Sequence, residues 1–570
     1  MLRATLAFLT TSPIINNILP ATHTTNSFLL LSSATRRSTP VLLRSRRSPA
    51  PYCSSRSSRF LSTTVTKMTN AHNDLSSTES AATDLSNTTK ELGAGSSIFW
   101  KPDSALPADL LPNSNPFMSA LTPRPTAWIC VSDEADESSS SSSTGSVSSK
   151  DSKIALLEGY NTASDRPPVM IFGTDSIPDD VLEVLKRKKK CSLSLATEVQ
   201  LDACKKACAK DGAMSGPSFS FSDLGLIPAV RDDGARPPSV SSSPVKLHCS
   251  LVEITDLPDN RGLVILEVDT YEIGKEVLST SGSSKKSSSG GRQVTARVEA
   301  DLMKPISSLG NGKFGRLEGV YDMYRPSKVT AKDGSISWVN QVFIKSRPRD
   351  EQDADEDYLS SLGGSGDAVE FTYLEEEGCI LGYNPTKQVI LPRPIGWIST
   401  YEKNQRIPHV APYSFFTDVG RGKRPLVAFV SMARRGERKD AQTDSEEMGQ
   451  FAWNVVTRPL AEQMNYSSAD ITSAESEFEL IGLNDVPAQL IDAPIVEEAP
   501  IVFECRYVKT KDVPRHDEAN ETRWSVVIGE VLGIKIDKDI LTDREIDVTK
   551  VLPVARMGYA QEYGLVEPCK

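Results

Sequence analysis

One string occurs twice in this chain. Residues 115–129 read NPFMSALTPRPTAWI and residues 384–398 read NPTKQVILPRPIGWI, so Asn-Pro, Pro-Arg-Pro and Trp-Ile recur at identical internal spacing, 269 residues apart. Solenoid units run to about 20–50 residues, so a period this long specifies a duplicated domain instead. The chain has 570 residues, and length alone would allow about three or four domains. The serine-rich runs at 138–149 and 279–290, and most of 1–97, hold too few apolar residues to offset the entropy of ordering them. Two folded domains remain, at 98–330 and 371–570. A disordered linker at 68–97 precedes them, and an acidic, glycine-rich linker at 331–370 joins them.

The copies align beyond the opening motif. KLHCSLVEI (246–254) answers VFECRYVKT (502–510), which places Cys249 over Cys505. VILEVDTYEIGKEVL (264–278) answers VIGEVLGIKIDKDIL (527–541), and RLEG (316–319) answers RMGY (556–559). Most segments are short, rich in Val and Ile, and bounded by Gly, Pro or Asp, which predicts strands at 395–400, 426–432, 501–507 and 526–536. Helices are predicted at 179–189, 201–209, 444–450 and 460–466. Closely spaced strands without regular βαβ alternation make the fold mainly β, an antiparallel barrel in each copy with a few peripheral helices.

Charge is unevenly distributed. Before the first acid, Asp74, stand eight Arg and Lys67; those nine positive charges leave −20 on residues 74–570 out of the net −11. That balance argues against nucleic acid as the main partner. The Arg-, Ser- and Thr-rich stretch 1–67 has the composition of an organelle transit peptide, and Arg59-Phe60-Leu61-Ser62 fits a mitochondrial processing site. A plastid address stays open, as does a cytoplasmic protein translated from Met68. No apolar run approaches the roughly 20 residues a membrane span needs. The nine cysteines include no Cys-x-x-Cys, and none of the five histidines lies near Cys191, Cys204 and Cys208. The expectation is free buried thiols and no metal site.

The second copy carries the chemically informative cluster: His409-Val410-Ala411-Pro412-Tyr413-Ser414-Phe415-Phe416, followed by Arg434-Arg435-Gly436-Glu437-Arg438-Lys439-Asp440. A turn with small, aromatic and hydroxyl residues offers backbone N–H groups, one hydroxyl and flat apolar faces, and the basic run offers cations. Together they suit a ligand with an aromatic ring at one end and a phosphate at the other. A hydrophobic hairpin beside a solvated basic loop has the same composition.

The ordered series PRPIGWIST (392–400), APYSFF (411–416), KD (439–440), GQFAWNVV (449–456), EFELIGL (477–483), ECRYV (504–508), VIGEV (527–531) and P-x-x-R-x-G (553–558) resembles the flavin reductase-like family of FMN-binding split barrels. The resemblance implies tandem split barrels, FMN held non-covalently at a barrel edge near a paired-barrel interface, and NAD(P)H as electron donor. It places Ser399 and Thr400 at the end of the first barrel strand beside the flavin. Ala411, Pro412, Tyr413, Ser414 and Phe415 become the flavin loop, and Asn454 lies on the strand behind the site. Lys439 and Asp440 fall on a Lys-Asp-Thr phosphate motif whose threonine is here Ala441, so Arg438, Arg434 or Thr443 has to compensate. His409 is expected to be an exposed loop residue, and Tyr559 to serve packing at least as much as chemistry.

The first copy keeps Pro123-Arg124-Pro125 and Trp128. It has Leu157-Glu158-Gly159-Tyr160-Asn161-Thr162 where the second copy has its flavin loop, and Ile177-Pro178-Asp179-Asp180 where the second has cations. It is expected to be a degenerate barrel that stands in for the second subunit of a homodimer, as an intramolecular pseudo-dimer; whole chains pairing further stays open. The implied function is flavin-centred oxidoreduction, hydride passing from NAD(P)H to FMN and on to free flavin or a partner oxygenase, without catalytic side chains of its own. An FMN-binding electron-transfer or storage protein lacking NAD(P)H activity, and a non-catalytic scaffold, are the alternatives.

Overall fold

The computed structural model describes residues 96–133, 152–209, 213–230, 236–286, 292–346, 359, 367–372, 381, 383–433, 436–514 and 522–570. The transit-peptide segment, residues 68–95, the serine run at 138–149, residues 347–358 and 360–366 of the acidic linker, and Arg434 lie outside the described residues.

Each copy folds as an antiparallel barrel with the same strand order. In the second copy the order across the sheet is Pro408–Tyr413, Gly396–Tyr401, Gln450–Asn454, Ile501–Asp512, Arg523–Asp537, Leu426–Ala433 and Phe416–Gly420. In the first it is Ser152–Glu158, Arg124–Ser132, Lys190–Leu195, Val245–Leu257, Arg261–Gly274, Pro168–Gly173 and Asn161–Asp165. The two outermost strands of each sheet are consecutive in sequence and joined by a two-residue turn, Ser414-Phe415 in one copy and Gly159-Tyr160 in the other. The barrel is split at that turn. The Val- and Ile-rich runs form the long central strands because residues on both of their faces are buried.

The copies exchange their leading segments. Ser97–Trp100, ahead of the first copy, pairs with Ile534–Asp537 of the second, and Ala368–Thr372, ahead of the second, pairs with Thr270–Gly274 of the first. The cores follow the strands. Ile98, Trp100, Phe117 and Leu121 pack with Ile398, Phe429, Trp453 and Phe503, and Val369, Phe371, Val389 and Leu391 pack with Leu247, Val268 and Tyr271. A further cluster contains residues of both barrels, including Val169, Ile171 and Ile265 with Phe415, Val419 and Ile528. The trailing strands, Lys313–Asp322 and Glu562–Pro568, pair with one another. The described start of the 331–370 linker forms strands: Ile336–Val339 pairs with Ser327–Thr330, and Ile344–Lys345 pairs with the first copy's trailing strand.

Helices at Asp179–Lys188, Leu201–Ala207 and Ala461–Tyr466 fall where expected, and the one expected at 444–450 begins four residues earlier, at Asp440–Met448. The seven described cysteines are free, and all but Cys569 are buried. No helix among the described residues is long and apolar enough to cross a membrane.

Candidate functional site

A cleft of about 460 Å³ opens where the second barrel is split. Pro412, Tyr413, Ser414 and Phe415 form one lip. Val430, Met432 and Trp524 line the barrel wall, and Arg393, Arg556 and Tyr559 come from the strand entry and the closing segment. Tyr413 and Phe415 are each 5% exposed, whereas Ser414, at the turn, is half-buried. Phe415 packs on Trp524, ring centroids 5.9 Å apart, and Tyr413 on Phe429 at 4.8 Å. The lip and the barrel wall at Trp524 therefore present packed aromatic surface.

Five cations line the cleft, Arg325, Lys387, Arg393, Lys439 and Arg556, with no carboxylate among its described lining residues. Lys439 immediately precedes the helix Asp440–Met448, and its ammonium lies 5.9 Å from the Tyr413 ring centre. Lys387 is 2.6 Å from Asp165 of the first copy, so part of its charge is already matched. Arg393 is 2% exposed, and its guanidinium donates to the carbonyls of Lys387, Ile390 and Met557 while Nε has no acceptor among the described residues. Burial, helped by the neighbouring Arg556 charge, pulls the Arg393 pKa down to about 9. A buried guanidinium without a carboxylate partner is costly unless an anion reaches it.

Of the residues expected to hold a flavin, Pro412, Tyr413, Ser414, Phe415 and Lys439 meet in this cleft. Ala411 is strand, the third residue before the turn, and packs against the barrel core. Ser399, Thr400 and Asn454 do not reach the cleft, because all three are buried and bonded within the barrel. Ser399 donates to the Pro494 carbonyl at 2.6 Å, and Thr400 donates to Asp444 at 2.8 Å. Asn454 donates to the Trp397 carbonyl and to Ser399 Oγ, and accepts from the Val496 amide. Arg438 turns away to pair with Glu446 at 2.6 Å, and Asp440 accepts from Ser473. Ala441 is buried in the barrel core, so the position of the missing threonine hydroxyl faces apolar neighbours.

His409 is a buried residue, contrary to its expected exposure on a loop. It is 2% exposed, lies 3.0 Å from Asp444, and is close to Glu477. Burial pushes Glu477 up to about 7, against the pull of His409. Sequence reasoning passed over Arg393 and Arg556, because an Arg between prolines or two residues before a glycine reads as scaffold. The strand pairing sets Arg556 beside Arg393, where the first copy has Ser308 beside Arg124, so the matching of 316–319 with 556–559 does not hold. Tyr559 lies in the cleft wall, bonded to the Tyr383 hydroxyl at 2.8 Å, with Arg297 of the first copy 3.8 Å above its ring.

The same place in the first copy is filled. Arg124, the counterpart of Arg393, faces Asp418 of the second copy at 4.0 Å and donates to Ser308, which donates to Glu158. Arg421 binds Asp418 at 2.8 Å and reaches the Glu158 and Met214 carbonyls. Gly159 stands where the second copy has its serine turn, at φ +89°, and a Cβ there would strike the Asp418 carboxylate. Asp180 is tied to Lys153 and Ser218.

The flavin reductase like domain family matches residues 118–283 and again residues 389–553, more than half of the chain. The chain belongs to that family, with two tandem copies of its domain. An uncharacterised protein of Aquifex aeolicus is 31% identical over 202 residues, spanning 34% of this chain and 97% of that protein. One from Deinococcus radiodurans is 33% identical over 183 residues, 31% of this chain and 77% of that protein. Among solved structures, nitrilotriacetate monooxygenase component B from Bacillus cereus is 24% identical, covering 35% of this chain and 97% of its own, with a TM-score of 0.32. Flavoredoxin of Desulfovibrio vulgaris (Miyazaki F) is 23% identical, covering 31% and 87%, with a TM-score of 0.26.

Proposed function

We propose that this chain is an FMN-dependent oxidoreductase that uses NAD(P)H and holds one flavin, in the cleft of its second barrel. The observation that carries the reading is that cleft: an aromatic lip facing Trp524, a serine turn, and five cations with no carboxylate among the described lining residues. The residues present fit a flavin nucleotide. Ser414 and Lys439 would hold its phosphate, Tyr413, Phe415 and Trp524 offer apolar faces to its ring, and the orphaned Nε of Arg393 is a donor in want of an acceptor. When bound, that group supplies the redox chemistry, taking hydride from a nicotinamide and passing electrons to an acceptor such as free flavin or a partner oxygenase.

The chain's own residues bind, orient and keep water out. In this reading the first copy is the built-in partner subunit: its Asp165 anchors Lys387, its Arg297 braces Tyr559, and its own seam is closed by the Arg421–Asp418 pair. Purified protein should be yellow with one FMN per chain, and the flavin absorbance should bleach when NADH or NADPH is added without oxygen. Two FMN per chain would end the one-site reading. A yellow protein that neither nucleotide bleaches would leave electron transfer or storage as the function.

A further inference from the structure

Three guanidinium groups, Arg325, Arg393 and Arg556, share the cleft. Their hydrogen bonds go to main-chain carbonyls, and none has a carboxylate partner among the described residues. A bound FMN phosphate carries about −1.5 to −2 charge. Three guanidinium charges exceed what that one phosphate neutralises, so one flavin leaves positive charge over. The excess is localised. Arg325 donates to the Ser468 carbonyl at 2.8 Å, Arg556 lies 4.5 Å over the Tyr563 ring, and Tyr563 bonds Asn465, whose amide donates to the Tyr324 carbonyl. This group of contacts involves neither Ser414 nor Lys439. Arg325 comes from the stretch that follows the first barrel, outside the two family-matched segments, whereas Arg556 is the arginine of the closing Pro-x-x-Arg-x-Gly motif.

The geometry points to a second anion subsite at Arg325 and Arg556 that takes the phosphate or carboxylate of the enzyme's other reactant. This rests on FMN occupying the serine-turn end of the cleft. Arginine suits the task, since its planar donor fork matches either oxyanion. Phosphate would come from a nicotinamide dinucleotide, and carboxylate from an acidic electron acceptor.

The test is calorimetric titration of FMN-loaded full-length protein with pyrophosphate and, separately, with succinate. One probe should bind at one per chain without displacing FMN, at least tenfold more weakly in Arg325→Gln, and with an intermediate affinity in Arg325→Lys, which keeps the charge and loses the fork. Pyrophosphate as the ligand assigns the subsite to the donor dinucleotide, and succinate assigns it to the acceptor. Binding that is indifferent to Arg325→Gln, no binding of either probe, or release of FMN by the probe would each overturn the inference. If the protein takes up no FMN, the proposed function fails, and the same titrations on flavin-free protein still decide the subsite through the Arg325→Gln comparison.

Discussion

At the scale of single residues, the cleft separates side chains that face a ligand from side chains that hold the barrel. Lys439 is exposed at the cleft edge and belongs to the first group. Lys439→Ala should weaken FMN binding by about 1–3 kcal/mol, the scale of a hydrogen bond to a charged group, with little change in melting temperature. Asp180→Ala, remote from the cleft and tied to Lys153, should leave the FMN dissociation constant unchanged; equal losses at the two positions would place the site in the other copy. Asn454 belongs to the second group. Its amide joins three strand-borne groups at a fully buried position. Asn454→Ala strands those partners and should cost on the order of 2–3 kcal/mol in unfolding free energy, with the flavin stoichiometry of the folded fraction intact. Denaturant unfolding and flavin content measured on the same preparation check both halves of that statement.

At the scale of elements, three pieces meet behind the aromatic lip: the strand Pro408–Tyr413, the helix Asp440–Met448 and the helix Glu477–Ile481. They bring together His409, Asp440, Asp444 and Glu477. Desolvation raises Glu477 from its usual 4.5 to about 7, so the folded chain keeps a proton that the unfolded chain releases. For His409, burial acts downward, but the bond to Asp444 and the charges of Glu477 and Asp440 outweigh it and raise the pKa above 6.5. Both groups bind protons more tightly when folded, so both contributions to stability decline as pH rises, Glu477 between about 4.5 and 7 and His409 above about 6.5. Melting temperature should therefore fall from about pH 5 to pH 8, and Glu477→Gln should flatten that fall. An unchanged slope in the variant would show that the cluster does not set it. Sequence alone made the central strands legible, because contiguous Val and Ile runs such as Val526–Ile528 have few other uses, and it made Asp179–Lys188 legible through its amphipathic spacing. It did not disclose the direction in which polar strand residues point. Ser399, Thr400 and Asn454 look alike whether they face a ligand or one another, and here they bond inward. The exchanged strands were equally hidden, since Ser97 bonds Asp537 across 440 residues and nothing local to either marks the pairing.

At the scale of the whole molecule, the exchange of leading segments makes the two copies interdependent. Ile98 and Trp100 of the first copy are buried in the second barrel, and Val369 and Phe371 of the second are buried in the first. The shared cluster of Val169, Ile171 and Ile265 with Phe415, Val419 and Ile528 would face water in either half alone. Exposing such a patch costs about 25 cal/mol per Å² and favours association. A fragment of residues 368–570 should therefore not persist as a folded monomer. It carries its own leading strand, Ala368–Thr372, and the edge at Ile534–Asp537 that a leading strand covers, so two fragments can exchange strands as the two copies do within one chain. Light scattering on the purified fragment should report a dimer or larger species. Within such a dimer each seam would face a second Asp418–Arg421 pair, which would close against Tyr413 and Ser414 as it now closes against Glu158 and Gly159. A folded, monodisperse monomer of 368–570 would show that the first copy is dispensable to the fold of the second. The full chain should in turn unfold in a single calorimetric transition, because neither barrel keeps a complete core once the other is lost.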